Sequence, residues 1–183
     1  MPVYLALLRG INVSGQKLIK MADLRMHMEA GGYKNVQTYI QSGNIVFKSE
    51  SVSSQSVAKN IERLIKAQYG FDVTVFVYNK EEIEKAVDSN PFITGRAPEP
   101  AGAKKLYVTF LNAAPLAEDV DKLKQAPIGN DRIAVSGNIL YFKLAESAAT
   151  SKLSNNLIEN KLRLRATTRN WNTTLKLLYM LSQ

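Results

Sequence analysis

Apolar residues run unbroken from Val3 to Leu8, as Val-Tyr-Leu-Ala-Leu-Leu. A short continuous run of this kind reads as a strand buried on both faces. Residues 9–20 break the pattern with Gly10 and Gly15 and read as a long loop. Leu24 and Met28 then share one helical stripe, which predicts a helix over 21–30 stopped by Gly31 and Gly32. Strands are predicted at 36–41 and 45–48, on either side of Ser42-Gly43-Asn44. After the serine-rich stretch 49–55, Val57, Ile61, Leu64 and Ile65 mark a helix closed by Gly70. A strand at 73–78 and a short helix at 81–87 complete this half.

The second half repeats the order. A strand is predicted at 105–111, a helix at 117–124, and strands at 132–135 and 139–144 around Ser136-Gly137-Asn138. Leu153, Leu157 and Ile158 mark the next helix. Leu162, Leu164 and Ala166 alternate with Arg163, Arg165 and Thr167, which predicts a strand of period two. An apolar helix over 172–181, with Leu175, Leu178 and Leu181 on one stripe, closes the chain.

The Ser-Gly-Asn phrase returns after 94 residues, close to half of the 183-residue length, and sits between the second and third strand each time. Order and phrase together predict an internal duplication. The fold class expected is α+β: two tandem ferredoxin-like βαββαβ repeats with extra helices and antiparallel sheets. The first repeat is expected over 1–94 and the second over 105–183. Pro98, Pro100 and Gly102 mark residues 95–104 as a linker. Each half alone is small, so the two are expected to pack as one compact unit.

Composition narrows the chemistry. No cysteine is present, which excludes disulfides and thiolate chemistry, and the single histidine leaves no convincing metal-ligand set. No apolar run approaches membrane-spanning length, and the N-terminus lacks a signal peptide's basic start, so a cytoplasmic protein without membrane insertion is expected. The net charge of +8 is uneven. Residues 1–95 hold 11 Lys/Arg against 9 Asp/Glu, and residues 96–183 hold 13 against 7. Lys152, Lys161, Arg163, Arg165, Arg169 and Lys176 form a basic run opposed only by Glu159. Such a run attracts a polyanion or serves as a solvated face.

Three stretches carry a family resemblance: 8–15 (Leu-Arg-Gly-Ile-Asn-Val-Ser-Gly), 38–47 (Thr-Tyr-Ile-Gln-Ser-Gly-Asn-Ile-Val-Phe) and 167–173 (Thr-Thr-Arg-Asn-Trp-Asn-Thr). Together the chain resembles, over nearly its whole length, the bacterial family catalogued as domain of unknown function 1697. The resemblance implies paired ferredoxin-like repeats in a bacterial cytoplasmic protein and no established reaction. Ser14-Gly15 stands where members often carry Gly-Gly.

The candidate chemistry follows from polar residues near these stretches. Residues 10–17 approach a phosphate-binding loop, but Gln16 separates Gly15 from Lys17 and Leu18 replaces the magnesium-binding hydroxyl. A looser anion site built on Arg9, Asn12 and loop amides remains, beside a plain structural loop. Gln41, Ser42 and Asn44 line a turn; Val135 replaces Gln41 in the second copy, which makes Gln41 the better functional candidate. Arg169, Asn170, Trp171 and Asn172 precede the last helix, where an Asn caps it and Trp171 either anchors the core or stacks a base. His27 has no nucleophile beside it, so no catalytic constellation is visible.

The expectation is a ligand- or partner-binding protein with a polar site between its repeats and no cofactor. A small anionic ligand or a nucleic acid is the possible partner. Nucleic-acid binding through the basic second half and an enzyme of unknown reaction are the alternatives.

Overall fold

Both faces of the Val3–Leu8 strand are buried. Tyr4, Ala6 and Leu8 face a helix-covered core, while Leu5 and Leu7 are also inaccessible on the other side. The computed structural model describes residues 1–183. In the first repeat, β1 (Val3–Leu8), α1 (Met21–Ala30), β2 (Lys34–Thr38), β3 (Asn44–Lys48), α2 (Ser54–Tyr69) and β4 (Val75–Tyr78) follow in order, and α3 (Lys80–Asp88) comes after them. The strands form one sheet in the order β2-β3-β1-β4, with every neighbouring pair antiparallel.

The second repeat runs β5 (Leu106–Leu111), α4 (Ala117–Lys124), β6 (Arg132–Ser136), β7 (Ile139–Lys143), α5 (Asn155–Leu162) and β8 (Ala166–Asn170), then α6 (Trp171–Leu181). Its sheet has the equivalent order, β6-β7-β5-β8, again antiparallel throughout. Two sheets of one topology, each built from βαββαβ, are tandem ferredoxin-like repeats. By contacts the chain divides into Met1–Glu84 with Leu177–Gln183, and Lys85–Lys176.

Local sequence accounts for the elements. Val57, Ile61 and Ile65 recur every four residues on α2 and are buried. Burying each such side chain stabilises by about 1.5–3 kcal/mol. Ser53 caps α2 by accepting from the Ser56 amide, and Gly70 ends it in the left-handed conformation at φ +81°. After α1 it is Gly32, at φ +98°, that takes the left-handed position. In the second repeat Leu111, Leu123, Leu140, Phe142, Ile158 and Leu162 form the helix-side core.

Two elements differ from the pattern. The alternation over 162–167 is not a strand: Leu162 ends α5, Arg163 caps it at φ +54°, and β8 begins only at Ala166. Leu162 faces the core as a helix residue, so the short alternation arose from a helix end and a turn together. β2 ends at Thr38 rather than Gln41, because Ile40 turns to φ +50° and leaves the sheet.

The repeated phrase builds two different turns. In the second repeat Ser136 pairs with Ile139, so Gly137-Asn138 is a tight two-residue hairpin in open solvent. In the first, Thr38 pairs with Ile45, and residues 39–44 form a wider loop. Gly43 there is at φ +85°, and a Cβ on it would meet Leu8 Cβ at 2.6 Å. Glycine is required at that position by both conformation and space.

Each repeat has enlarged the loops at one end of its own sheet, and the two have chosen non-equivalent ends. In the first, residues 9–20 between β1 and α1 are longer than their counterpart 112–116. In the second, residues 125–131 and 144–154 are longer than 31–33 and 49–53.

Candidate functional site

The polar residues singled out in the first repeat gather at the end of the sheet where β1 stops and β3 starts. The Leu8 amide donates to the Gly43 carbonyl and the Arg9 amide to Thr74, which holds the three loops 9–20, 39–43 and 70–74 together. Asn12 clamps two of them. Its Nδ2 donates to the carbonyls of Ile19 at 3.0 Å and Gln41 at 2.7 Å, and its Oδ1 accepts from the Ile19 amide at 2.9 Å. Lys17 reaches the third, donating to the Asp72 carbonyl at 2.7 Å.

Asn44 is fully buried. Its Nδ2 donates to the Tyr39 carbonyl and to Ser42 Oγ, both at 2.9 Å. These bonds shape the wide loop from inside, so Asn12 and Asn44 act on the backbone. Gln41 is exposed and Arg9 half-buried. Asn12, Ser14, Lys17 and Ile40 all hold positive φ, between 48° and 55°. For Ile40, a β-branched residue, this is strained backbone. The same loops expose three large apolar side chains, Val13 at 58%, Leu18 at 65% and Ile40 at 49%.

The second set lies on β8 and the start of α6. Asn170 caps α6, its Oδ1 accepting from the Thr173 amide at 2.8 Å. Trp171 is completely buried and donates its Nε1–H to the Ala97 carbonyl at 2.8 Å. Asn172 accepts from the Glu99 amide and donates to the Glu99 carbonyl. Trp171 and Asn172 thus fasten residues 97–99, the proline-rich stretch, to the helix start. Arg169 is buried and donates to Thr167 Oγ1 at 2.7 Å and to the Thr168 carbonyl. Burial pulls its guanidinium down to about 10, which still leaves it charged at neutral pH.

The basic run is dispersed. Arg169 lies inside, Arg163 pairs with the buried Asp119 at 3.1 Å, and Lys152, Arg165 and Lys176 are exposed with Lys161 half-buried. His27 sits on α1 with its ring edge-on to Tyr69 at 5.7 Å. No group of three or more His, Asp or Glu side chains is placed to hold a metal ion. No helix is long and apolar enough to cross a membrane.

Sequence pattern did not single out Val13, Leu18 and Ile40, because isolated apolar residues in loops carry no periodicity. Nor did it find the loops 125–131 and 144–154. Aligning the two repeats on their shared phrase exposes both as extra length in one copy.

Two sheets of one topology, each with its helices, define a duplicated ferredoxin-like α+β protein. The chain belongs to the family described as "Protein of unknown function (DUF1697)", whose model matches residues 1–141. The stretch 167–173 lies beyond that match. The conserved bacterial protein SP0830 from Streptococcus pneumoniae has a similar structure, with a TM-score of 0.72, 23% sequence identity and 98% of both chains covered. That likeness is one of fold. No curated protein matches the chain.

Proposed function

We propose that this is a binding protein whose recognition surface is the loop end of the first repeat, and that its partner is an acidic peptide or protein segment carrying apolar side chains. The observation that carries the reading is the Asn12 clamp. One side chain braces loop 9–20 through two hydrogen bonds with Ile19 and joins it to loop 39–43 through a third, to Gln41, beside strained, non-glycine backbone. Strain of that kind persists where a fixed geometry is useful, and a rigid loop binds with less ordering cost.

The surface held in place suits a polypeptide. Val13, Leu18 and Ile40 supply exposed apolar area, and Gln16 and Gln41 supply exposed amides beside it. Lys20 is exposed at the same end without a carboxylate partner, which favours an acidic segment. A polyanion reading through the second half is weaker: Arg163 is engaged by Asp119 and Arg169 is interior.

The test is selection from a displayed random-peptide library, followed by affinity measurements on the Leu18→Ser and Ile40→Ser variants. Enriched peptides should combine Asp or Glu with apolar residues, and each substitution should weaken them at least tenfold. Failure to enrich a consensus, or binders indifferent to both substitutions, overturns the proposal.

A further inference from the structure

The two repeats differ at one pair of equivalent sheet edges. β2 is the outer strand of the first sheet and β6 that of the second. The β2 edge is interrupted: its register on β3 shifts between Lys34 and Gln37, Asn35 turns to φ +50°, and Lys34 is exposed. A bulge and an exposed lysine both keep an edge strand from pairing with another chain. The β6 edge has neither. Arg132–Ser136 keeps unbroken register with β7, and Ile133, Ala134 and Val135 are only half-buried. At the far edges of the two sheets, β4 is buried along its whole length and so is most of β8.

The hydrogen-bond phase of the second sheet shows which groups of β6 are open. The Leu111 amide donates to the Asn138 carbonyl, next to the Phe110–Ile139 pair, so Asn138, Leu140 and Phe142 bond towards β5. Ile139, Tyr141 and Lys143 therefore bond towards β6, to Ser136, Ala134 and Arg132. The amides and carbonyls of Ile133 and Val135 point the other way, out of the sheet edge, and have no protein partner.

This strand is complementary to itself. In antiparallel pairing about a twofold axis at Ala134, Ile133 faces Val135 of a second copy, and every open amide and carbonyl finds its partner. An axis at Ile133 or Val135 would set the other of the two against Asp131 or Gly137, outside the strand. The side chains agree with the Ala134 register. Ile133 and Val135 pack against the helix-side core, and the pairing continues that apolar row from one sheet into the next. Ala134 is small enough for the close approach of a non-hydrogen-bonded pair, with Cα atoms about 4.5 Å apart. Arg132, held over the Phe92 ring at 5.1 Å from its centroid, meets Ser136 rather than a like charge.

We propose that β6 joins β6 of a second copy of this chain, antiparallel about Ala134, into one continuous sheet. One short strand per copy makes a small contact, below the roughly 1,200 Å² of stable interfaces, and the +8 charge on each copy opposes it. The dimer is therefore weak, concentration-dependent and strengthened by salt. It uses none of the loop residues on the first repeat, so either proposal stands or falls alone.

The test is sedimentation of the whole chain from micromolar to millimolar concentration, together with single-cysteine trapping. The mass should rise from 20.3 kDa towards twice that value, and more readily at higher salt. Ala134→Lys, which sets like charges against each other across the axis, should weaken association at least tenfold, and Leu18→Ser should leave it unchanged. The chain has no cysteine, so an introduced one can pair only with that of another copy. Under mild oxidation Ala134→Cys should cross-link at least tenfold faster than Ser136→Cys at the exposed strand end, because only residue 134 meets its own equivalent at disulfide distance. A monomer across the whole range, an unweakened Ala134→Lys dimer, loss of the dimer in Leu18→Ser, or Ser136→Cys cross-linking as fast as Ala134→Cys overturns the proposal. So does assembly beyond two copies, since a twofold contact closes at the dimer.

Discussion

Replacing Asn12 with Ala removes all three bonds of the clamp: two donated by Nδ2 and one accepted by Oδ1. A hydrogen bond contributes a net ~0.5–1.5 kcal/mol, and water can reach this loop, so the low end applies and the loss is about 2 kcal/mol. Ala at φ +55° adds about 1 kcal/mol, a penalty that Asn12→Gly avoids. The Ile19 amide is the direct reporter, because its acceptor is Asn12 Oδ1. With tenfold per 1.4 kcal/mol, its hydrogen exchange should speed up about 30-fold in Asn12→Gly and more than 100-fold in Asn12→Ala. Amides in the α2 core should exchange as before, since the loops open without global unfolding. An unchanged Ile19 exchange rate in Asn12→Ala would show that the clamp does not hold the loop.

Three other outcomes follow from the same geometry. Gly43→Ala should destabilise by about 3 kcal/mol in urea denaturation, from overpacking against Leu8 and left-handed strain, whereas Gly137→Ala, with no atom within 4 Å, should cost about 1 kcal/mol; equal effects would contradict the two turn geometries. The Arg96 hydrogen bond holds the Asp88 carboxyl below its ordinary value. The ionised form is therefore favoured by folding: that stabilisation is present above the unfolded carboxylate value of about 3.9 and is lost as pH falls through the lower folded value. Arg96→Gln should raise the Asp88 pKa in a carbon-13 NMR titration, and an unmoved curve would refute the pairing. Asp131→Ala removes the hydrogen bonds to the Ala145 amide and Ser151 Oγ that tie the second repeat's long loops, so trypsin should cut after Lys152 several-fold faster than in the wild type; equal cleavage rates would count against the tie.

The sequence made the topology legible through periodicity. β1, α2, α4 and the closing helix each span enough residues for burial on one or both faces to imprint a pattern, and the duplicated phrase aligned the halves. Legibility ended where a pattern was short. Leu162, Leu164 and Ala166 alternate like a strand, yet Leu162 is the last turn of α5 and Arg163 its left-handed cap. Three alternating positions are too few to tell a strand from a helix end followed by a turn.

The candidate residues divide by the same reasoning. Their polar character and loop positions were readable, but their engagement was not. Asn12 bonds to Ile19 and Gln41, Trp171 to Ala97 and Asn172 to Glu99, and the last two of these partners are more than seventy residues away in sequence. A side chain's partners depend on which loops the sheet brings together. The amino-acid sequence by itself therefore determined the repeat, the element order and the inward-facing stripes, because these follow from local periodicity. Which Asn folds a loop, which Arg is buried and which strand edge is left open were decided only by tertiary structure, because hydrogen bonds and desolvation act across distances in sequence that no local pattern records.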